Sequence, residues 1–508
     1  MRRVRIRMLP FIALAVVSIA PGNTRAEDPD SRSDVQVTGA VENQYRTDRA
    51  VPLDRIDVHT KRGVVTLEGT VRDLLARRRA VRIAETVKGV RSVVDRLDVE
   101  QPEKITDSVI RGDVLAALLM DPATDSYEIA VSVSDGGVVT LSGTVQSWRE
   151  RELAATVAAG VRGVTELHDD LEVSFPSSRP DREIREEIAQ TLVWNTRIDA
   201  TLVAVDVEEG EVQLSGIVGS AAEKREAREE AWTEGVRGVD DAGLLVEPWA
   251  RDDDQRDSRV AEVSDSEIAD ALRMALRQDP RVPSENVTIE VRSGEVSLTG
   301  DVENLEAKRA AEATARHTVG VISVNDGLKV ARDGIAAVNE PAGARETALE
   351  SEILAALRRD PWVSPFDVRV DVTAGVARLS GRVDTYLARA RADEVTARVP
   401  GVIDVLNALE VDTRATAFDP YVDSWPPTYP DWYAPEPQAW KSDAQITEDI
   451  ENQLWWSPFV SDHDVDVVVT DGVATLTGTV NTWVAWDTAQ DEAYDAGATL
   501  VMNRLQVQ

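Results

Sequence analysis

A seven-residue phrase framed by two glycines occurs six times in this chain, and such a chain folds as one small unit used repeatedly. The copies read GVVTLEG at Gly63 to Gly69, GVVTLSG at Gly137 to Gly143, GEVQLSG at Gly210 to Gly216, GEVSLTG at Gly294 to Gly300, GVARLSG at Gly375 to Gly381 and GVATLTG at Gly472 to Gly478. Between the glycines apolar and polar residues alternate, as in a turn feeding a half-buried strand. In the sixth copy Val465, Val467 and Val469 precede Asp471 and Gly472. A two-residue turn there pairs Val469 with Ala474, Val467 with Leu476 and Val465 with Gly478, which places every apolar residue on one face. The fourth copy gives the same register, with Val291, Ile289 and Val287 opposite Val296, Leu298 and Gly300. The second copy carries an extra glycine, Gly136, and a three-residue loop with a bulge restores Val133 opposite Val139.

Upstream of each hairpin, apolar residues fall four apart, as in Ile110, Val114, Leu118 and Ile446, Ile450, Leu454. This spacing predicts a short amphipathic helix. Downstream, small residues stand eleven and fifteen positions after the second glycine: Ala80 and Ala84, Ala154 and Ala158, Ala227 and Ala231, Ala311 and Ala315, Ala392 and Thr396, Ala489 and Ala493. One helical turn apart, they make a flat ridge on a second helix, expected to lie over the side-chain-free patch at the second glycine. A turn glycine and a third strand close the unit. The fold class is therefore α+β, a tandem repeat of an αββαβ two-layer sandwich with three strands and two helices on one face.

The first 26 residues have the layout of a secretory signal peptide: Arg2, Arg3, Arg5 and Arg7, an apolar run from Leu9 to Ala20, and small residues near Ala26. Units are expected at 31–100, 104–176, 181–247, 264–332, 344–414 and 442–508, with a charged linker at 248–263 and a Pro/aromatic linker at 415–441. Each unit draws only roughly 3–5 kcal/mol from its own core, so neighbours are expected to lean on one another. The absence of cysteine excludes disulfides, thiolate chemistry and a lipid-bearing cysteine. Export then points to the periplasm or beyond.

The net charge of −35 disfavours nucleic acid as a partner. The charge is uneven, however. Residues 31–100 carry 14 basic and 11 acidic groups, with Arg77, Arg78, Arg79 and Arg82 clustered on the second helix, whereas 442–508 carry one basic and 12 acidic groups. The chain is electrically polarised from end to end. Candidate contact residues stand five positions after the second glycine, where Trp148, Tyr386 and Trp483 either insert into a partner or staple the second helix. Trp425, Trp432 and Trp440 in the second linker are candidates for docking another protein or for strapping two units together. The four histidines, His59, His168, His317 and His463, lack ligand spacing, and the L-S-G serines lack the context of a nucleophile elbow. No catalytic, cofactor or metal site is expected.

The phrase G-x-[VA]-x-L-x-G-x-V, the alanine ridge and the endings Gly320, Val321, Val324, Asn325, Leu328 and Gly401, Val402, Val405, Asn407, Leu409 resemble the BON domain, named for bacterial osmotic-shock-induced periplasmic and nodulation proteins. The resemblance implies an exported, non-enzymatic module that associates with envelope membranes or with proteins under osmotic stress. The expected function is thus a multidomain adaptor acting through many weak contacts with envelope proteins. Its alternative is phospholipid binding through the first unit.

Overall fold

The computed structural model describes residues 33–48, 50–100, 105–121, 123–124, 128–175, 179–251, 263–330, 342–363, 368–411, 441–460 and 465–508. The signal-peptide reading at 1–26 and the candidates Trp425, Trp432 and Trp440 lie outside them. Arg32–Gln508 forms one compact body.

Six copies of one unit are present. In unit 1 a helix at Asp34–Thr47 is followed by strands Ile56–Lys61 and Val64–Val71, a helix at Leu74–Glu85 and a strand at Ser92–Val99. In unit 6 the same elements span Asp443–Trp456, Val465–Thr470, Val473–Val480, Trp483–Asp495 and Leu500–Val507. Every sheet has its three strands in chain order. The first pair is antiparallel and the second parallel. The register in units 6, 4 and 2 is the one expected, down to Val465 opposite Gly478, Val287 opposite Gly300 and Val133 opposite Val139.

The turn chemistry explains that register. Arg62 and Gly63 both have positive φ, as do Asp471 and Gly472, the conformation whose twist matches a two-residue hairpin. Each turn is also tied to the first helix. Asp34 accepts from the Arg62 and Gly63 amides at 2.8 and 3.0 Å, and Asp181, Asp265 and Asp443 do the same in units 3, 4 and 6. These bonds lower the pKa of Asp34 and Asp265. The second helices are capped in turn by Asp73, Ser147, Ser220, Asn304, Thr385 and Thr482, each accepting from a first-turn amide.

All twelve ridge residues, from Ala80 and Ala84 to Ala489 and Ala493, are fully buried. The reason for the second glycine differs from the expectation. A Cβ on Gly300, at φ +137°, would overlap the carbonyl oxygen of Asn286, and Gly69, Gly143 and Gly216 meet Arg55, Glu128 and Leu202 in the same way. The glycine admits the chain entering the first strand rather than the ridge of the second helix.

Candidate functional site

The position five residues after the second glycine begins the second helix, and in every unit it reaches into a neighbour. Leu74 of unit 1 belongs to the core of unit 2. The Trp148 ring of unit 2 packs 4.2 Å from Trp232 of unit 3, and its Nε1 donates to the Val236 carbonyl at 3.0 Å. Ala221 of unit 3 returns to the core of unit 1. The second half of the chain repeats this. Leu305 of unit 4 joins the core of unit 5, Tyr386 of unit 5 stacks on Tyr494 of unit 6 at 3.4 Å, and Trp483 Nε1 of unit 6 donates to the Ile322 carbonyl of unit 4 at 3.1 Å. Units 1, 2 and 3 therefore close one ring, and units 4, 5 and 6 close another.

A second joint links the rings pairwise. The amide before the turn glycine donates to the carbonyl of the last residue of a first helix: Lys88 to Trp456 at 2.9 Å, Arg162 to Arg359 at 2.6 Å and Val319 to Trp194 at 3.0 Å. Unit 1 thus pairs with 6, 2 with 5 and 4 with 3. The last residues of three first helices, Trp456, Met120 and Trp194, pack against the facing cores. One backbone contact made three times between units of different rings is what six copies of one surface produce.

Charge decorates both joints. Arg149 meets Glu230 at 2.6 Å, Arg225 meets Glu85 at 2.8 Å and Arg309 meets Asp393 at 2.5 Å, all between units of one ring. Between units 1 and 6, Arg79 binds Asp48 of its own unit and both oxygens of Asp495 at 2.9 Å. The four arginines of unit 1 are therefore not equivalent. Arg77 pairs with Asp95 inside the unit, Arg79 joins the chain's two end units, and Arg78 and Arg82 face the other second helices. Burial holds Arg78 and Arg82 below the usual arginine value, with Arg82 also beside Arg225 and Arg79. The opposite holds across the joint, where burial and mutual repulsion push Glu492 up to about 8, and burial pushes Asp495 to about 6. The basic and acidic ends of the chain are thus in contact.

His317 lies 3.3 Å from Asp487 across units 4 and 6, and His168 lies 3.8 Å from Glu166. Among the described residues no cluster of His, Cys, Asp or Glu could hold a metal ion. No described helix is long and apolar enough to cross a membrane. Sequence reasoning singled out Trp148, Tyr386, Trp483 and Arg79 but missed Glu230, Glu85, Asp393 and Asp495, because nothing local marks an acid whose partner lies in another unit.

The BON domain model matches residues 33–101, 106–174, 180–248, 264–332, 345–413 and 442–508. The chain is 34% identical to Osmotically-inducible protein Y of Escherichia coli (strain K12) over 148 residues, which is 29% of this chain and 73% of that protein. Among solved structures, the C-terminal domain of CdsD, a structural protein of the type III secretion system of Chlamydia trachomatis, aligns with 48% of this chain and 100% of its own at 17% identity and a TM-score of 0.12. At that score the likeness carries no argument.

Proposed function

The chain belongs to the BON domain family, which accounts for all six units, and from that premise we propose that it is an exported, non-enzymatic binding protein of the cell envelope, related to osmotic or envelope stress. The similarity to an osmotically inducible protein supports the setting. The observation that carries the binding mode is the fate of the second helices. Their tips and charges are engaged between units, so the surface left for partners is the outer face and the two edge strands of each sheet. Those faces display half-exposed apolar side chains such as Val94, Leu406 and Met502 among charged ones. Six such faces on one body gain strength by multivalency, each contact being weak alone. An adaptor that gathers envelope proteins fits this arrangement.

Crosslinking of the full chain in the envelope fraction, with and without osmotic shock, tests the reading. Proteins captured through residues of the outer sheet faces support it, and capture of none under either condition removes it. Co-sedimentation with anionic vesicles tests the phospholipid alternative. Vesicle binding that is lost at raised salt and needs anionic headgroups would favour lipid over protein.

A further inference from the structure

Each unit carries a residue just after its first helix, which in units 1, 3 and 5 meets position six of the second helix, and the residue is settled differently in each. Asp48 is held by Arg79 in unit 1, and Asp360 by Arg391 at 2.6 Å in unit 5. In unit 3 the acid stands on the second helix instead, with the neutral Asn195 donating to Glu226 at 3.2 Å. In unit 4 Asp279 is held by Arg281 at 2.7 Å, and in unit 6 the position is the neutral Ser457. Unit 2 breaks the pattern. Its aspartate is Asp121, but position six is Leu153.

Asp121 is only 2% exposed. Its Oδ1 accepts from the Ala123 amide at 3.0 Å, while Oδ2 has no hydrogen-bond partner. It lines a cavity of about 60 Å³ at the joint with unit 5, room for roughly four water-sized molecules. The opposite wall brings Arg398, whose Nε is buried without a partner because its other end is bound to Glu394 at 2.6 Å. Arg359 lines the same cavity, with Asp113 no closer than 3.7 Å. Met120, Val157 and Val395 supply apolar walls.

We propose that this cavity binds a small zwitterion of amino-acid size, its ammonium group on Asp121 and its carboxylate on Arg398 and Arg359. A lone cation is repelled by the arginines and a lone anion by Asp121, whereas a molecule carrying both charges answers each wall. The ionisation of the lining agrees. Burial raises Asp121 above the usual carboxylate range against the pull of Arg398 and Arg281, and holds Arg359 below the usual arginine value against the pull of Asp113.

The test uses the full chain and isothermal titration with glycine and L-alanine, against methylammonium and acetate as half-ligands. The expected result is millimolar or tighter binding of the amino acids and at least about tenfold weaker binding of the halves. Leu153→Arg rebuilds the pair found in units 1 and 5 and is expected to abolish binding with the circular dichroism retained. Asp121→Asn, isosteric and safe for folding, is expected to weaken binding about tenfold, and it decides the question if Leu153→Arg does not fold. No heat with the native chain, or equal binding by the native chain and Asp121→Asn, overturns the proposal.

Discussion

Replacing Arg79 by alanine tests the joint between the two ends of the chain. The side chain is 20% exposed, and Asp48 beneath it is 1% exposed. Asp48 is fixed in place, since its Oδ1 accepts from the Ala50 and Val51 amides at 2.8 and 3.1 Å. It cannot turn to water when its partner goes. Removing one member of a buried pair costs about 3–5 kcal/mol, most of it the uncompensated charge left behind. Asp495 is 26% exposed against 1% for Asp48, so its share of the loss is the smaller one. Arg79→Met keeps the aliphatic volume and is expected to lose nearly as much, which separates charge from packing. Asp48→Asn added to Arg79→Met is expected to recover most of the loss, since no buried charge then remains. Because six units need not unfold together, the assay is native-state hydrogen exchange read locally. Protection is expected to fall in both second helices of the joint, Leu74–Glu85 and Trp483–Asp495. Loss confined to unit 1 would refute the reasoning, because Arg79 would then serve only its own unit.

The same joint sets a pH dependence. Glu492 and Asp495 have raised folded pKa values, about 8 and about 6, so their stabilisation is complete below the unfolded carboxylate range and is lost as pH rises through those values. Stability is expected to fall between about pH 5 and pH 8, by about 1.4 kcal/mol per pH unit for each net proton released and seen as a falling thermal midpoint, and Glu492→Gln is expected to flatten the profile. Gly300→Ala forces a Cβ onto the Asn286 carbonyl at positive φ and is expected to cost at least about 3 kcal/mol, enough to open unit 4 to limited proteolysis. Trp148→Ala removes the bond to Val236 and the contact with Trp232, and is expected to cost about 2 kcal/mol. Exchange should rise at the turn near Val236 in unit 3 while the unit 2 hairpin stays protected.

The unit itself was legible because its signals are local. A strand pattern of period two fixes register once the turn length is known, and the turn is written in pairs such as Asp471 and Gly472. The first helices and the small-residue ridge follow from spacing alone. The second glycine was placed correctly but for the wrong neighbour, since a carbonyl approaching across a hairpin leaves no mark in sequence. The joints were not legible for a different reason. Arg79 and Asp495 are 416 positions apart, and six similar units offer many pairings that local pattern cannot rank. The uneven charge of the end units was the one available hint, and it reads equally well as a lipid-facing surface. Asp121 and Leu153 show what a repeat does offer, because a missing partner becomes visible only against copies that have it.

Small-angle scattering of the chain without residues 1–26 tests most directly whether six units close on themselves. A compact body of this length has a radius of gyration of about 23 Å, whereas six separate units strung in a line reach roughly 50 Å. The closed arrangement predicts a value near the first, rising when Arg79→Ala is combined with Trp483→Ala. A native value near the second, unchanged by that pair of substitutions, would contradict it.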